Sequence, residues 1–247
     1  MSIELDDAGI CRNGRWLWRH LSLRLEPATV TVVIGPNGSG KTTLVRTLAG
    51  LIDLAEGRRR NAGAFGYVPQ TTQIGLPFRV AEVVAMGRLR DKPLFARHGV
   101  ADRVAVEHAI AAVGIGHLAE RPFTQISGGE RQLVLLARAL ATGGSTLLLD
   151  EPFAALDLRR QGRMLDLLAD LAGTQGMSVL FTTHDPDHGL RIGDRAVALD
   201  GAGAAIVGTV DDVLDADVLA AVYGVPMRRI AIERNDQETS HHVIALI

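Results

Sequence analysis

One octapeptide restricts this chain more than any other feature. Gly35-Pro36-Asn37-Gly38-Ser39-Gly40-Lys41-Thr42 fits the pattern G-x-x-x-x-G-K-[ST] at every fixed position. It follows Thr29 to Ile34 (TVTVVI), a β-branched run suited to a strand buried on both faces. It precedes a helical stretch from about Thr42 to Ala49, closed by Gly50. Strand, glycine turn and helix in that order make a phosphate cradle. Glycines let successive backbone N–H groups turn inward, and the positive end of the helix dipole adds to the attraction. Lys41 is placed to reach β- and γ-phosphates and the Thr42 hydroxyl to bind Mg²⁺, so Gly35 through Thr43 are the candidate nucleotide-binding residues. The loop alone says nucleotide, and kinases, GTPases and transport ATPases share it. A glycine turn at a strand–helix junction is the plain structural alternative.

The remaining pattern alternates strand and helix. Trp16 to Leu25 reads as a strand ended by Glu26-Pro27, and Phe65 to Val68 as another. Thr146 to Leu149 (TLLL) and Ser178 to Thr182 are buried strands, with helices over Glu130 to Ala141 and Leu158 to Ala172. Such alternation predicts a mostly parallel sheet covered on both faces. Ala81 to Leu118 has a helical pattern with a polar break around Lys92 to Gly99, which suits a helical subdomain over about residues 76–130. Arg58-Arg59-Arg60 reads as a solvated hairpin turn, and the tail from about Arg228 fits no motif.

Asp150 and Glu151 close the TLLL strand, at the edge where open α/β sheets bind ligands. Asp150 would hold Mg²⁺ through water, and Glu151 would polarise the attacking water as general base. A strand ending in a solvated Asp-Glu-Pro is the plain alternative. Ile126-Ser127-Gly128-Gly129-Glu130-Arg131-Gln132 before a helix resembles the L-S-G-G-Q/E signature of ABC ATPases. Ser127 and Glu130 also form a capping box, and both roles are compatible.

The resemblance implies a set of further roles. Gln70, in Tyr67-Val68-Pro69-Gln70, resembles the glutamine that touches Mg²⁺ and links the site to a membrane subunit. Ala155-Leu156-Asp157 resembles the D-loop that passes between subunits, and His184 the switch histidine that contacts the γ-phosphate and orients the base. Ser127, Gly128, Gly129 and Glu130 would act on the ATP held by a partner copy. The implied catalytic set is therefore Glu151, His184, Lys41 and Gln70, with Thr42, Gln70 and Asp150 at Mg²⁺. In that family an aromatic ring upstream of the lysine stacks on adenine. The matching register falls on Arg12, whose guanidinium plane could stack instead, or Trp16 could serve with a shifted loop. Phe153 stands where the family commonly has threonine.

The implied fold is α/β: a P-loop NTPase (RecA-like) core, a small N-terminal antiparallel β portion and an inserted helical subdomain. The ATPase domain would cover residues 1–227 and a tail residues 228–247. The implied machine is an importer subunit whose ATP-sandwich homodimer drives separate transmembrane permease subunits, served indirectly by a substrate-binding protein. A soluble ABC ATPase with a regulatory or assembly role, or a subunit for a non-metal cargo, are the alternatives. The 29 residues from Lys41 to Gln70, and the stretch Leu76 to Arg88, resemble subunits that serve metal-ion and metal-chelate importers. The adjacent His241 and His242 suggest metal sensing or mere exposure.

Composition agrees with this picture. With 47% hydrophobic and 22% charged residues and a formal charge of -2, no surface is built mainly for nucleic acid. Cys11 is the only cysteine, which excludes an intrachain disulfide and suits a reducing compartment. Glu4, Asp6 and Asp7 occupy the place where a signal peptide would be basic. No uncharged apolar stretch reaches the ~18 residues a membrane span requires. The expected location is peripheral, on the cytoplasmic face of the inner membrane.

Overall fold

Side-chain alternation along five short strands divides the interior into two layers. In a computed structural model describing residues 3–61, 63–70, 75, 77–89, 99–233 and 239–246, eleven strands and eight α-helices are assigned. The strands are β1 (Ile3–Arg12), β2 (Arg15–Arg24), β3 (Val30–Ile34), β4 (Glu56–Asn61), β5 (Phe65–Val68), β6 (Thr146–Leu149), β7 (Ser178–Thr182), β8 (Arg195–Leu199), β9 (Ala205–Thr209), β10 (Met227–Glu233) and β11 (Thr239–Ala245). The helices are α1 (Lys41–Leu48), α2 (Val80–Ala85), α3 (Val100–Val113), α4 (Gly128–Ala141), α5 (Leu158–Gly173), α6 (Pro186–Ile192), α7 (Val210–Val213) and α8 (Ala216–Tyr223).

The central sheet runs β5-β6-β7-β3-β8-β9, parallel except for β9. Val30, Val32 and Ile34 of β3, Leu147 and Leu149 of β6, and Val179 and Phe181 of β7 face one layer. They meet Leu135 and Leu136 of α4, Leu165 and Leu168 of α5, and Leu219 of α8. Val33, Leu148, Leu180 and Val197 face the other layer, against Leu44 and Leu48 of α1 and the small sheet β2-β1-β4. Period-two burial on both faces is what a run of β-branched and leucine residues dictates. The fold is therefore a mixed α/β one with a parallel core and an antiparallel N-terminal portion.

Between β5 and β6 the chain is helical. Val83 and Val84 of α2, Val106 and Ile110 of α3, Phe123, and Val134 and Ala137 of α4 form a third apolar cluster. Arg88 ties it together, donating from Nε to Asp102 (3.1 Å) and from Nη1 to the carbonyl of Ala141 (3.0 Å). Leu76, Arg90 and most of the expected polar break, residues 92–98, lie outside the described residues.

Arg58, Arg59 and Arg60 are not in a hairpin turn. They lie within β4, paired antiparallel with Asp6, Leu5 and Glu4 of β1. The cross-strand acids offset two of the charges, and Arg59 Nη1 donates to the carbonyl of Thr47 at 3.1 Å.

The tail forms the β10–β11 hairpin, tied to α6 by Asp187 and to α7 by an Arg229–Asp211 ion pair (2.8 Å), with Met227 and Val243 packed on the core. Asp187 Oδ1 accepts from the Val243 amide (2.8 Å), and Oδ2 meets His242 Nδ1 (2.7 Å). His242 Nε2 faces Ser240 Oγ at 3.1 Å, so both ring nitrogens of this histidine are engaged. Because Asp187 stands three residues beyond His184, the hairpin bears on the segment that carries the candidate switch histidine. Asp187→Ala should loosen β11 on α6 while leaving the fold and the Arg229–Asp211 ion pair intact. The Val243 amide is expected to exchange with deuterium at least about tenfold faster, the equivalent of ~1.4 kcal/mol for hydrogen bonds to a charged group. Unchanged exchange would mean that apolar packing of the hairpin suffices.

Candidate active site

The parallel strands deliver their polar residues to one edge. Ile34, Val68, Leu149 and Thr182 end β3, β5, β6 and β7, and Gly35, Gln70, Asp150 and His184 follow within two residues of them. The registers Val68↔Leu149 and Leu149↔Phe181 keep these ends level.

The loop Gly35–Gly40 needs glycine for steric reasons at two positions. Gly35 has φ 145°, and a Cβ there would collide with the carbonyl of Leu199. Gly40 has φ 101° and packs on Trp18, whose indole would lie 3.1 Å from an added Cβ. Lys41 folds back along the loop, with Nζ donating to the carbonyls of Gly35 (2.7 Å) and Pro36 (3.2 Å) and lying 3.9 Å from Glu151 Oε1. Burial lowers its pKa, and the carboxylates of Glu151 and Asp150 oppose that effect. Ser39 Oγ is buried in the loop without a partner among the described residues.

Asp150 is fully buried. Its Oδ1 accepts from the Thr42 and Thr182 hydroxyls, each at 3.0 Å, whereas Oδ2 has no partner among the described residues. Burial pushes its pKa up, and the two hydroxyls pull it back only in part. An orphaned carboxylate oxygen beside a threonine hydroxyl is a hard-oxygen donor set, and it fits a divalent cation such as Mg²⁺.

Glu151 adopts a left-handed backbone, φ 50°, unusual for a residue with a side chain. Its amide donates to Thr182 Oγ1 at 2.7 Å, and its Oε2 meets Nδ1 of the exposed His184 at 3.2 Å. Lys41, Thr42, Asp150, Glu151 and His184 thus converge. Gln70 is exposed two residues past β5, next to the Asp150 strand.

Ser127–Glu130 forms a separate turn. Ser127 caps α4: its Oγ accepts from the Glu130 amide (3.3 Å) and donates to Glu130 Oε2 (2.7 Å), while its own amide donates to Oε2 (2.8 Å). Those bonds hold the Glu130 pKa down. Gly129 packs against the stretch Ala155–Asp157, where a Cβ would lie 3.2 Å from Leu156 Cδ2 and 3.3 Å from the Ala155 carbonyl. Asp157 caps α5, accepting from the Arg160 amide at 2.9 Å. Arg12 is exposed at the β1–β2 turn, paired with Arg15, and Trp16 is half-buried with the Arg19 guanidinium 4.5 Å over its ring.

Two participants escape sequence reasoning, Tyr223 and His188, and the role of a third, Phe153, becomes visible only in the fold. Tyr223 of α8 accepts from the Gly35 amide at 3.2 Å, and burial pushes its hydroxyl pKa up to about 12. His188 is buried, its Nδ1 3.0 Å from Thr183 Oγ1, and burial lowers its pKa. Phe153 meets Phe181 edge-on at 5.3 Å and His188 at 4.3 Å. It fastens the segment after Glu151 to the β7–α6 corner, which accounts for an aromatic ring at this position. No sequence signal marks Tyr223, whose partner is a distant backbone amide, or His188, whose burial against Phe153 is set by the tertiary fold.

Comparison with known proteins follows from this geometry. The ABC transporter family profile matches residues 18–154. A molybdate import ATP-binding protein of Haemophilus influenzae is 34% identical over 92% of this chain and 90% of its own length. A hemin import ATP-binding protein of Gloeobacter violaceus is 36% identical over 88% of this chain and 85% of its own. Among solved structures, a metal-chelate type ABC transporter in an inward-facing conformation superimposes with a TM-score of 0.94 at 31% identity, covering 100% of this chain and 98% of that one.

The burial of Asp150 has a measurable consequence. Asp150→Asn keeps the shape and removes a charge that burial disfavours, so the nucleotide-free protein should gain about 1 kcal/mol, or ~2–4 °C in Tm at this chain length. ATP hydrolysis should fall to background. A lowered Tm in calorimetry would show that the carboxylate is better compensated than its surroundings indicate.

Proposed function

The chain belongs to the ABC transporter family, whose ATP-binding subunits are ATPases, and from that premise we propose that it powers an importer of a metal ion or metal chelate. One observation carries the catalytic part of this reading: Glu151 stands between Lys41 and His184 at the sheet edge, beside the orphaned oxygen of Asp150. Lys41 and the N–H groups of the glycine loop hold the phosphates. Thr42, Asp150 and Gln70 would hold Mg²⁺, which supplies charge neutralisation for the phosphate oxygens. Glu151 takes the water proton, and His184 fixes its carboxylate. Arg12 or Trp16 lies nearest in register to the adenine site.

Gly128 and Gly129 are the first two residues of α4, where backbone N–H groups have no intrahelical acceptor, and with the Ser127 hydroxyl they start a helix long enough to attract a γ-phosphate. We assign this turn, with Asp157, to ATP held by a second copy, giving two nucleotides between two subunits. Residues 1–227 are assigned as the ATPase unit, its helical part near 76–130, and residues 228–247 as a C-terminal tail. Closure with ATP and reopening after hydrolysis supply the movement. Among the described residues no helix is long and apolar enough to cross a membrane. The movement would act on separate permease subunits, as the import ATP-binding names of the relatives suggest. The assembly sits at the cytoplasmic face of the membrane.

The permease contact is supported by a groove of about 490 Å³ lined by Leu51, Tyr67, Met86, Leu89 and Arg138. Leu51 and Leu89 are exposed at its rim, and burial lowers the Arg138 pKa, with no carboxylate among the described residues offsetting that effect. The cargo assignment is supported by the relatives' names, molybdate and hemin, and by the metal-chelate transporter that shares the fold end to end.

Two experiments test this reading. Elemental analysis of cells lacking the gene, grown in metal-poor medium, should show a selective deficit that the intact gene restores and Glu151→Gln does not. Purified Glu151→Gln should bind ATP, lose at least about 10²-fold in turnover and accumulate as an ATP-bound dimer. No change in any element would remove the metal cargo, and normal turnover would remove Glu151 as base. Separately, Leu51→Asp combined with Leu89→Asp should strip the subunit from detergent-solubilised permease while leaving ATP binding intact. Retention on the permease would move the docking site elsewhere.

A further inference from the structure

We propose that Thr182 is a positioning residue that holds Glu151 in its working orientation through a single buried hydroxyl. This rests on the reading of Glu151 as general base. Thr182 is the last residue of β7, a strand whose preceding residues, Val179, Leu180 and Phe181, are apolar and buried. Packing alone at such a site asks for valine, which has the same shape. The hydroxyl is there because of what it bonds.

A hydroxyl has one proton to give and two lone pairs with which to accept. At Thr182 the proton goes to Asp150 Oδ1 at 3.0 Å, and a lone pair receives the Glu151 amide at 2.7 Å. The first bond fixes the hydroxyl rotor, so the accepting face points at Glu151. Asp150 keeps the Thr42 hydroxyl as a second donor, whereas Glu151 is held here by its backbone. That backbone is in the left-handed region at φ 50°, a conformation a glutamate keeps only where its surroundings impose it. Relaxing φ would swing the carboxylate away from His184 Nδ1 (3.2 Å) and from Lys41 Nζ (3.9 Å). Through Thr182 the buried acid and the strained residue that follows it are held by one atom.

The test compares Thr182→Val with Thr182→Ser in the full-length protein. Thr182→Val should keep its affinity for a fluorescent ATP analogue and its KM for ATP within about threefold while kcat falls at least about tenfold. Thr182→Ser, which restores the hydroxyl, should return kcat to within about threefold of the parent. Deuterium exchange at the Glu151 amide should accelerate in the valine variant and not in the serine variant. This readout requires neither nucleotide nor turnover, and it does not depend on what Glu151 does. Added to Glu151→Gln, Thr182→Val should cost no further activity, because it acts through a group already disabled. Equal loss in the serine and valine variants, or unchanged exchange at Glu151, would overturn the proposal and leave Thr182 a packing residue. Accelerated exchange with unchanged kcat would overturn it too, since the bond would then hold the backbone without serving turnover. If Glu151→Gln itself turned over normally, the base assignment would fall while the exchange result still judged the hydrogen bond.

Discussion

Everything at this site depends on a parallel sheet that is apolar on both faces. A strand such as Val30–Ile34 or Leu147–Leu149, sealed between two hydrophobic layers, holds almost no polar side chain away from its ends, Thr31 being the buried hydroxyl within β3. Parallel pairing puts all of the carboxyl ends on one edge, and the level registers across β5, β6, β7 and β3 keep them within reach of one another. Four segments far apart in sequence are thereby obliged to share a small volume. The chemistry of the site follows from which residues stand first after each strand.

The electrostatics of that volume are unbalanced in a consistent direction. Asp150 is buried with one oxygen unpartnered, and burial raises its pKa, while burial lowers that of Lys41 nearby. Each charge is disfavoured where it stands: Glu151 and Asp150 relieve Lys41 only in part, and the Thr42 and Thr182 hydroxyls with Arg46 relieve Asp150 only in part. The loop amides add partial positive charge and the carboxylates add negative charge close by. An arrangement that leaves both signs under-compensated favours a ligand bringing both, as a nucleotide triphosphate with a divalent cation does. The same burial that costs stability supplies the attraction.

The sequence made the central strands and the phosphate loop legible because their signals are local. TVTVVI, TLLL and SVLFT are short apolar runs bounded by turn residues, and the capping box at Ser127 and Glu130 is written within four positions. Elsewhere the deciding interaction is distant. Three arginines in a row read as a turn because charge dominates the pattern, yet Asp6 and Glu4 across the ladder make them a strand. The β10–β11 hairpin lacks a strong alternation, and its anchor is Asp187, more than fifty residues upstream of its bonding partners. Phe153 departs from the family pattern for a reason visible only when Phe181 and His188 are beside it. Local chemistry can be read from a string, and a partner chosen by topology cannot.

The C-terminal part of the chain belongs to the same argument. Tyr223 reaches the amide of Gly35, the first residue of the phosphate loop, and Val243 and His242 take both oxygens of Asp187, just beyond His184. Two elements that close opposite sides of the site are thus tied to one continuous stretch, α8 followed by the hairpin. Gly35 cannot shift without affecting Tyr223, and α6 cannot rotate without stretching bonds to β11. Since Thr183 is bonded to His188 and Thr182 to Glu151, the β7–α6 corner is held from inside by hydroxyls and from outside by the hairpin. The position of His184, itself exposed, is set by neighbours that are not. An exposed side chain that meets Glu151 at 3.2 Å gains its accuracy from this framing rather than from its own packing.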